Sequence, residues 1–270
     1  MNKLVTTSKF ARALSATMVS AILMTGLTVA QNSSSKATAA ISTAVGCTSS
    51  GTSNIGDTLP VTCHDIFSGA SASVTPDNFV QIMTTTMKLS NSQSMFVTAS
   101  LVTGLYTNTK TKTSSGGSST ATAEGGVYLR VVLRDPNTGA VIQIADPIAA
   151  CTDQILGCVK DTNGDYGVML DSRIQTLSQT LSNCVVTVAG TGGGSCNFDS
   201  TLQLVLQTTS AHSFNFIFPN VGVGTYTISV ESAVNTSATV SGSGTSIAGA
   251  AYGLGSLTAE SVRMVHDFSF

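Results

Sequence analysis

Apolar residues along this chain recur mostly at every second position, the spacing of strands with one buried face. Residues 79–89 (FVQIMTTTMKL) make the first predicted strand. Met95, Val97, Ala99 and Leu101 alternate with smaller polar residues and predict a second, continuing toward Thr109. Residues 126–134 carry the clearest pattern: Val127, Leu129, Val131 and Leu133 face one way, Tyr128, Arg130 and Arg134 the other. Asp135-Pro136-Asn137-Thr138-Gly139 then predicts a turn, Pro setting φ and Gly supplying a positive one. Residues 140–144 return as the hairpin partner. Leu202, Leu204 and Leu206 alternate again, and His212, Phe214, Phe216 and Phe218 share a face that stops at Pro219-Asn220. Residues 225–230 and 257–265 are further strands, the last extending toward Phe270. Residues 173–181 are ambiguous: Ile174, Leu177 and Leu181 fit helical spacing, while their Thr-rich surroundings favour a strand.

Between these strands, residues 110–126 (KTKTSSGGSSTATAEGG) are rich in Ser and Gly and predict an exposed loop. Residues 31–72 are Ser/Thr/Ala-rich and weakly periodic, the composition of a flexible lead-in. Many short strands divided by turn signals predict an all-β fold. The expected architecture is an antiparallel β-sandwich, jelly-roll or immunoglobulin-like, whose sheets bury their alternating faces against each other.

The first thirty residues read differently. Lys3, Lys9 and Arg12 form a positive region, residues 13–30 (ALSATMVSAILMTGLTVA) carry no charge, and Thr28-Val29-Ala30 offers small residues at a cleavage point. That is the pattern of a secretory signal peptide. Ser15, Thr17, Ser20, Thr25, Gly26 and Thr28 dilute it as a spanning helix, and no basic cluster follows. The domain reading is therefore signal peptide over 1–30, a Ser/Thr-rich N-terminal segment with one disulfide loop over 31–75, and a sandwich domain over 76–270. The expected location is outside the cytosol, secreted to the extracellular or periplasmic space. No helical membrane span is expected after cleavage.

An exported chain meets oxidising conditions, and all six cysteines lie beyond the cleavage point: Cys47, Cys63, Cys151, Cys158, Cys184 and Cys196. Six cysteines allow about fifteen pairings. Proximity favours Cys47–Cys63, Cys151–Cys158 and Cys184–Cys196, each closing a short loop worth about 2–4 kcal/mol. No C-x-x-C occurs and no spacing matches a zinc signature, which argues against metal or redox roles.

Charge narrows the partners. Only 10% of residues are charged, the net charge is −2 and Lys/Arg residues nowhere cluster. A nucleic-acid partner or a polybasic membrane contact needs such a patch. The absence of Trp and the five Tyr leave few flat platforms for sugars. Candidate chemistry is sparse. Asp161, Asn163 and Asp165 stand at positions one, three and five of a segment resembling a calcium loop, the one ion suggested as a cofactor. Tyr166 replaces the loop glycine and Ser172 the terminal acid, and Asn163-Gly164 is also a favoured hairpin turn. The three histidines are His64, His212 and His266. No G-x-S-x-G elbow accompanies them, and His266 and Asp267 are neighbours that face apart in a strand. A non-catalytic protein is expected, with a secreted hydrolase as the lesser alternative. Val262, Met264, His266, Phe268 and Phe270 alternate and end in Phe, which makes an outer-membrane β-barrel the other alternative.

Residues 210–230 (SAHSFNFIFPNVGVGTYTISV) and 255–263 (GSLTAESVR) resemble a group of uncharacterised exported bacterial proteins that share a strand near a Gly-rich turn and a final strand of this kind. The resemblance implies a secreted β-sandwich and carries no catalytic residue. The expected role is structural, adhesive or ligand-binding at the cell exterior, toward an unidentified protein or surface partner. Self-association through exposed strand edges is part of that expectation.

Overall fold

The computed structural model describes residues 36–57, 62–66, 78–188, 192–196 and 198–263. The proposed signal peptide, His266, Asp267, Phe268 and Phe270 lie outside them. The elements are β1 (Ala37–Ser42), β2 (Gly46–Ser53), a one-turn helix α1 (Cys63–Ile66), β3 (Val80–Leu89), β4 (Gln93–Ser114), β5 (Ser118–Arg134), β6 (Val141–Ile144), β7 (Cys158–Lys160), β8 (Tyr166–Thr180), β9 (Cys184–Val188), β10 (Gly192–Cys196), β11 (Asp199–Val221), β12 (Gly224–Ser241) and β13 (Ser243–Val262).

Two antiparallel sheets face each other. The first runs β1-β13-β4-β11, with β2 also along β13; the second runs β3-β12-β5-β8-β7, with β6 beside β5. β9 and β10 form a separate hairpin. This is the expected β-sandwich. Neither sheet closes on itself, so the outer-membrane barrel is not the architecture of the described residues.

Several boundaries differ from the sequence reading. The strands are long: β4, β5, β8, β11, β12 and β13 run from 15 to 23 residues. Residues 110–126 are not an exposed loop. They carry β4 to Ser114 and begin β5 at Ser118, around a turn where Gly116 takes φ 76°. Thr109, Thr111 and Thr113 point inward while Lys110 and Lys112 point out, so Thr supplies the alternation that aliphatic residues supply elsewhere. Residues 173–180 extend as part of β8. The stretch read as a flexible lead-in contributes β1 and β2, both hydrogen-bonded to β13. Its small Ala and Ser side chains gave no apolar period.

The sandwich changes character along its length. At one end the inward rows are aliphatic and aromatic: Met95, Val97 and Leu101 on β4 meet Val127, Leu129 and Val131 on β5, with Phe216 and Phe218 beside them. At the other end β4 turns Thr103, Thr107, Thr109, Thr111 and Thr113 inward, all at most 3% exposed. Burying a hydroxyl requires a partner; β8 provides one for Thr103, Thr107, Thr109 and Thr111, while the Thr113 hydroxyl has none among the described residues. Thr107 Oγ1 donates to Gln175 Oε1 at 2.7 Å. Gln175 Nε2 donates to Thr109 Oγ1 at 2.6 Å and to the Leu204 carbonyl at 2.8 Å. Thr111 Oγ1 donates to Gln179 Oε1 at 3.2 Å.

Cys47 is bonded to Cys63, which pins α1 onto the outer face of the first sheet. Ile66 of α1 is buried there, and a Cβ at Gly249 would lie 2.5 Å from its Cδ1. Glycine at that position is what lets the helix approach. Cys151 is bonded to Cys158, closing the loop that leads into β7. The register of the β9–β10 hairpin puts Cys184 directly opposite Cys196.

Candidate functional site

The segment containing Asp161, Asn163 and Asp165 is the tight connection between β7 and β8. Asp161 Oδ1 accepts the amides of Asn163 (2.9 Å) and Asp165 (2.8 Å), and Asp161 Oδ2 accepts the amide of Phe79 at 3.2 Å. Gly164 takes φ 90° and its amide donates to the Asp161 carbonyl at 3.1 Å, so the connection is a β-turn over Asp161–Gly164 closed by a left-handed glycine; the two-residue Asn-Gly turn would need Asn163 at positive φ as well, which it does not take. Asp165 points away from Asp161, to Arg130 Nη1 at 2.5 Å. Arg130 Nη1 also lies 3.6 Å from Glu231 Oε2, and Arg134 Nη2 pairs with Glu231 Oε1. Arg130 and Glu231 are directly opposite on β5 and β12, and both are buried. The two carboxylates that suggested calcium are thus engaged by backbone amides and by a buried guanidinium. Among the described residues, no three His, Cys, Asp or Glu side chains converge on one point.

His212 has polar company. Its Nε2 lies 2.6 Å from Ser210 Oγ and 3.4 Å from Asp171 Oδ2. Thr103 Oγ1 donates to the same Asp171 oxygen at 2.5 Å. A serine nucleophile relay needs the hydroxyl on one ring nitrogen and the acid on the other. Here both groups meet Nε2, so the imidazole cannot pass a proton between them. What the group does is join the sheets: Ser210 and His212 come from β11, Thr103 from β4 and Asp171 from β8. Arg173 of β8 adds to it, donating through Nη2 to Thr208 Oγ1 at 2.7 Å.

On the outer face of the first sheet, Ala37, Ala39, Phe96, Thr98, Thr258 and Glu260 line a shallow groove of about 500 Å³. Two small side chains open it, one ring forms an apolar wall, and one carboxylate supplies the charge.

The most unusual surface is the edge formed by β11. This strand pairs with β4 over most of its length. On its other side, the described residues show a single bridge, Asp146 with Ile217 near its end. Leu202, Leu204 and Leu206 stand opposite Thr111, Thr109 and Thr107, on the inward face. The alternation predicted them buried. Instead they are 41–45% exposed, and Val205 on the other face is 49% exposed. The reason is sheet order: β11 is the outermost strand of its layer, and the second layer does not cover it fully. Such edges are usually blunted by Lys, Pro or a bulge. From 200 to 211 the chain (STLQLVLQTTSA) contains no charge and no Pro, and its pairing with β4 is unbroken there. On the same side of the second layer, β7 covers β8 only at Tyr166, Gly167 and Val168. Sequence periodicity located these leucines; nothing in it said that the strand would be outermost.

No family model matches the chain, and no curated protein matches it. Among solved structures it is similar to a chain in the structure of the infectious bursal disease virus Gx strain, at 10% identity with a TM-score of 0.19, over 85% of this chain and 42% of that one. A second similarity is to a Gt strain chain, at 12% identity with a TM-score of 0.12, over 86% and 44%. This chain spans less than half the length of either, and likenesses this low carry no functional argument.

Proposed function

We propose that the mature chain is an exported, non-catalytic sandwich that works through its surface, as a structural or adhesive component of the cell exterior. The observation that carries this reading is the β11 edge, a long strand with no charge from 200 to 211 whose open side, among the described residues, is bridged only at Ile217, and which carries four half-exposed aliphatic side chains. Leaving such a row open invites another β-strand. The leader-like pattern at residues 1–30, the cysteine pairs and the resemblance of residues 210–230 and 255–263 to exported bacterial proteins all support the same setting. The arrangement around His212 gives a hydrolase no support. A ligand-binding form of the idea uses the groove beside Phe96 and Glu260, whose volume falls within the range of small-molecule sites.

The test is retention at the exterior. The full chain and its Leu204→Lys variant are expressed, and each mature protein is mixed with envelopes of the producing cells. Wild type is expected to remain bound, and the variant, checked for intact folding by circular dichroism, to wash off. Equal retention of the two would remove β11 from the function.

A further inference from the structure

We infer that the partner of β11 is a second copy of this chain, paired edge to edge and antiparallel about a two-fold axis at Leu204. The inference rests on the reading of β11 as the working edge and names what occupies it.

Three observations select this occupant. The open side has two layers. Gln175 Nε2 bonds the Leu204 carbonyl and Arg173 Nη2 bonds Thr208, so the parts of β8 and β11 that no described strand flanks are held alongside each other. A single extended peptide would continue one sheet and leave the other bare, whereas a second copy continues both. The row is also self-complementary. An axis at Leu204 sets Leu202 against Leu206 of the second copy, and Leu206 against its Leu202, so leucine meets leucine throughout. The nearest charge, Asp199, falls opposite Thr209, and no like charges meet. Finally, the edge is large enough. Residues 199–209, the stretch symmetric about Leu204, span ~36 Å at ~3.3 Å per residue, and two layers with their side chains are ~20 Å deep, which gives ~700 Å² per partner. That lies within the standard size of a stable interface, about 800 Å² a side with a spread of about 200 Å². The Asp146–Ile217 bridge ends the open row before the apolar end of the sandwich. An interface of this kind is isologous and closes at two copies.

A charge exchange at position 204 tests the register. The purified, oxidised mature protein is followed by sedimentation over a concentration series. Wild type is expected to dimerise. Leu204→Lys and Leu204→Glu, each alone, should weaken the dimer ~100-fold or more, because like charges would meet across the axis. Mixing the two variants should restore dimerisation, because position 204 then faces its opposite charge. A monomeric wild type at the highest concentration, or a mixture no better than either variant alone, overturns the inference. The envelope assay separates this from the reading beneath it. A monomeric wild type whose envelope binding is still lost in Leu204→Lys leaves β11 as the working edge with a different partner. A Leu204→Lys protein unchanged in both assays removes the edge altogether.

Discussion

Replacing Gln175 with Met tests whether the threonine-lined half of the sandwich is held by hydrogen bonds. The two side chains have similar length and volume, so packing changes little. Gln175 is 5% exposed and its amide makes three bonds, to Thr107, Thr109 and the Leu204 carbonyl, at 2.6–2.8 Å. A buried hydrogen bond contributes about 1 kcal/mol net, and a partner left unsatisfied costs about 1–3 kcal/mol. Losing all three should therefore destabilise the fold by about 3 kcal/mol or more. For a domain of this size about 1 kcal/mol moves Tm by 2–4 °C, which gives a fall of about 6–12 °C. Thr107→Val alone should cost about 1 kcal/mol. Added to Gln175→Met it should cost nothing, since the hydroxyl has already lost its acceptor. Urea unfolding of the four proteins supplies the cycle. If Gln175→Met lay within about 0.5 kcal/mol of wild type, the range of an ordinary surface change, the proposed bonding would be wrong.

Three other outcomes follow from the same structure. Asp57 accepts hydrogen bonds from Lys110 (3.0 Å) and Thr245 (2.8 Å), and the Lys110 bond foremost holds its carboxyl below the usual carboxylate range. A depressed folded pKa means stability present at neutral pH and lost as pH falls through that value, so Asp57→Asn should flatten the acid side of the Tm profile; an unchanged acid limb refutes it. Burial pushes the Tyr252 hydroxyl up to about 12; the folded state resists its ionisation, so stability should decline once pH rises past about 10, and one tyrosine should ionise late in an ultraviolet titration, a delay that Tyr252→Phe removes. Breaking the Cys47–Cys63 bond with a Cys47→Ala/Cys63→Ala pair should cost about 2–4 kcal/mol and release Ile66 from Gly249, measured as a lower Tm that no longer responds to reductant at this site.

Where the sequence uses large aliphatic residues, its pattern and the strands coincide. Val127 to Leu133 and Phe214 to Phe218 alternate in the sequence and in the sheets. The hairpin at Asp135–Gly139 was equally legible, because Asp135 Oδ1 accepts the amides of Asn137 and Thr138 and Gly139 takes φ 71°. The pattern failed where strands are built from small polar residues. Thr107 to Thr113 look like solvent-facing residues until Gln175 and Gln179 are seen on the facing strand, many residues later. The hairpin of β12 and β13 around Gly242 (φ 82°) is mostly Ser, Thr, Ala and Gly, with Val240 and Ile247 its only large aliphatic residues over 235–250, and carries almost no apolar period. The exposure of Leu204 was hidden for a different reason. Alternation reports which face a residue shares, while strand order across the sheet depends on pairings between distant segments.

The threonine interior and the open edge are connected. Apolar contacts are non-directional and roughly proportional to area, so two sheets held only by them can shift relative to each other at small cost. Hydrogen bonds have preferred lengths and angles. In the threonine half, the inward side chains of β8 bond to specific atoms on β4 and β11: Gln175 to Thr107, Thr109 and the Leu204 carbonyl, Arg173 to Thr208, and Asp171 to Thr103. These bonds set the offset between the outermost strands of the two layers. An edge that joins another two-layered edge needs that offset held constant, because both sheets must meet their counterparts at once. An aliphatic interior there would bury more apolar area and leave the offset free. The half of the molecule with the polar interior is also the half whose leucines stand exposed, and the bonding that reads as a weak core in the sequence is what keeps that edge in register.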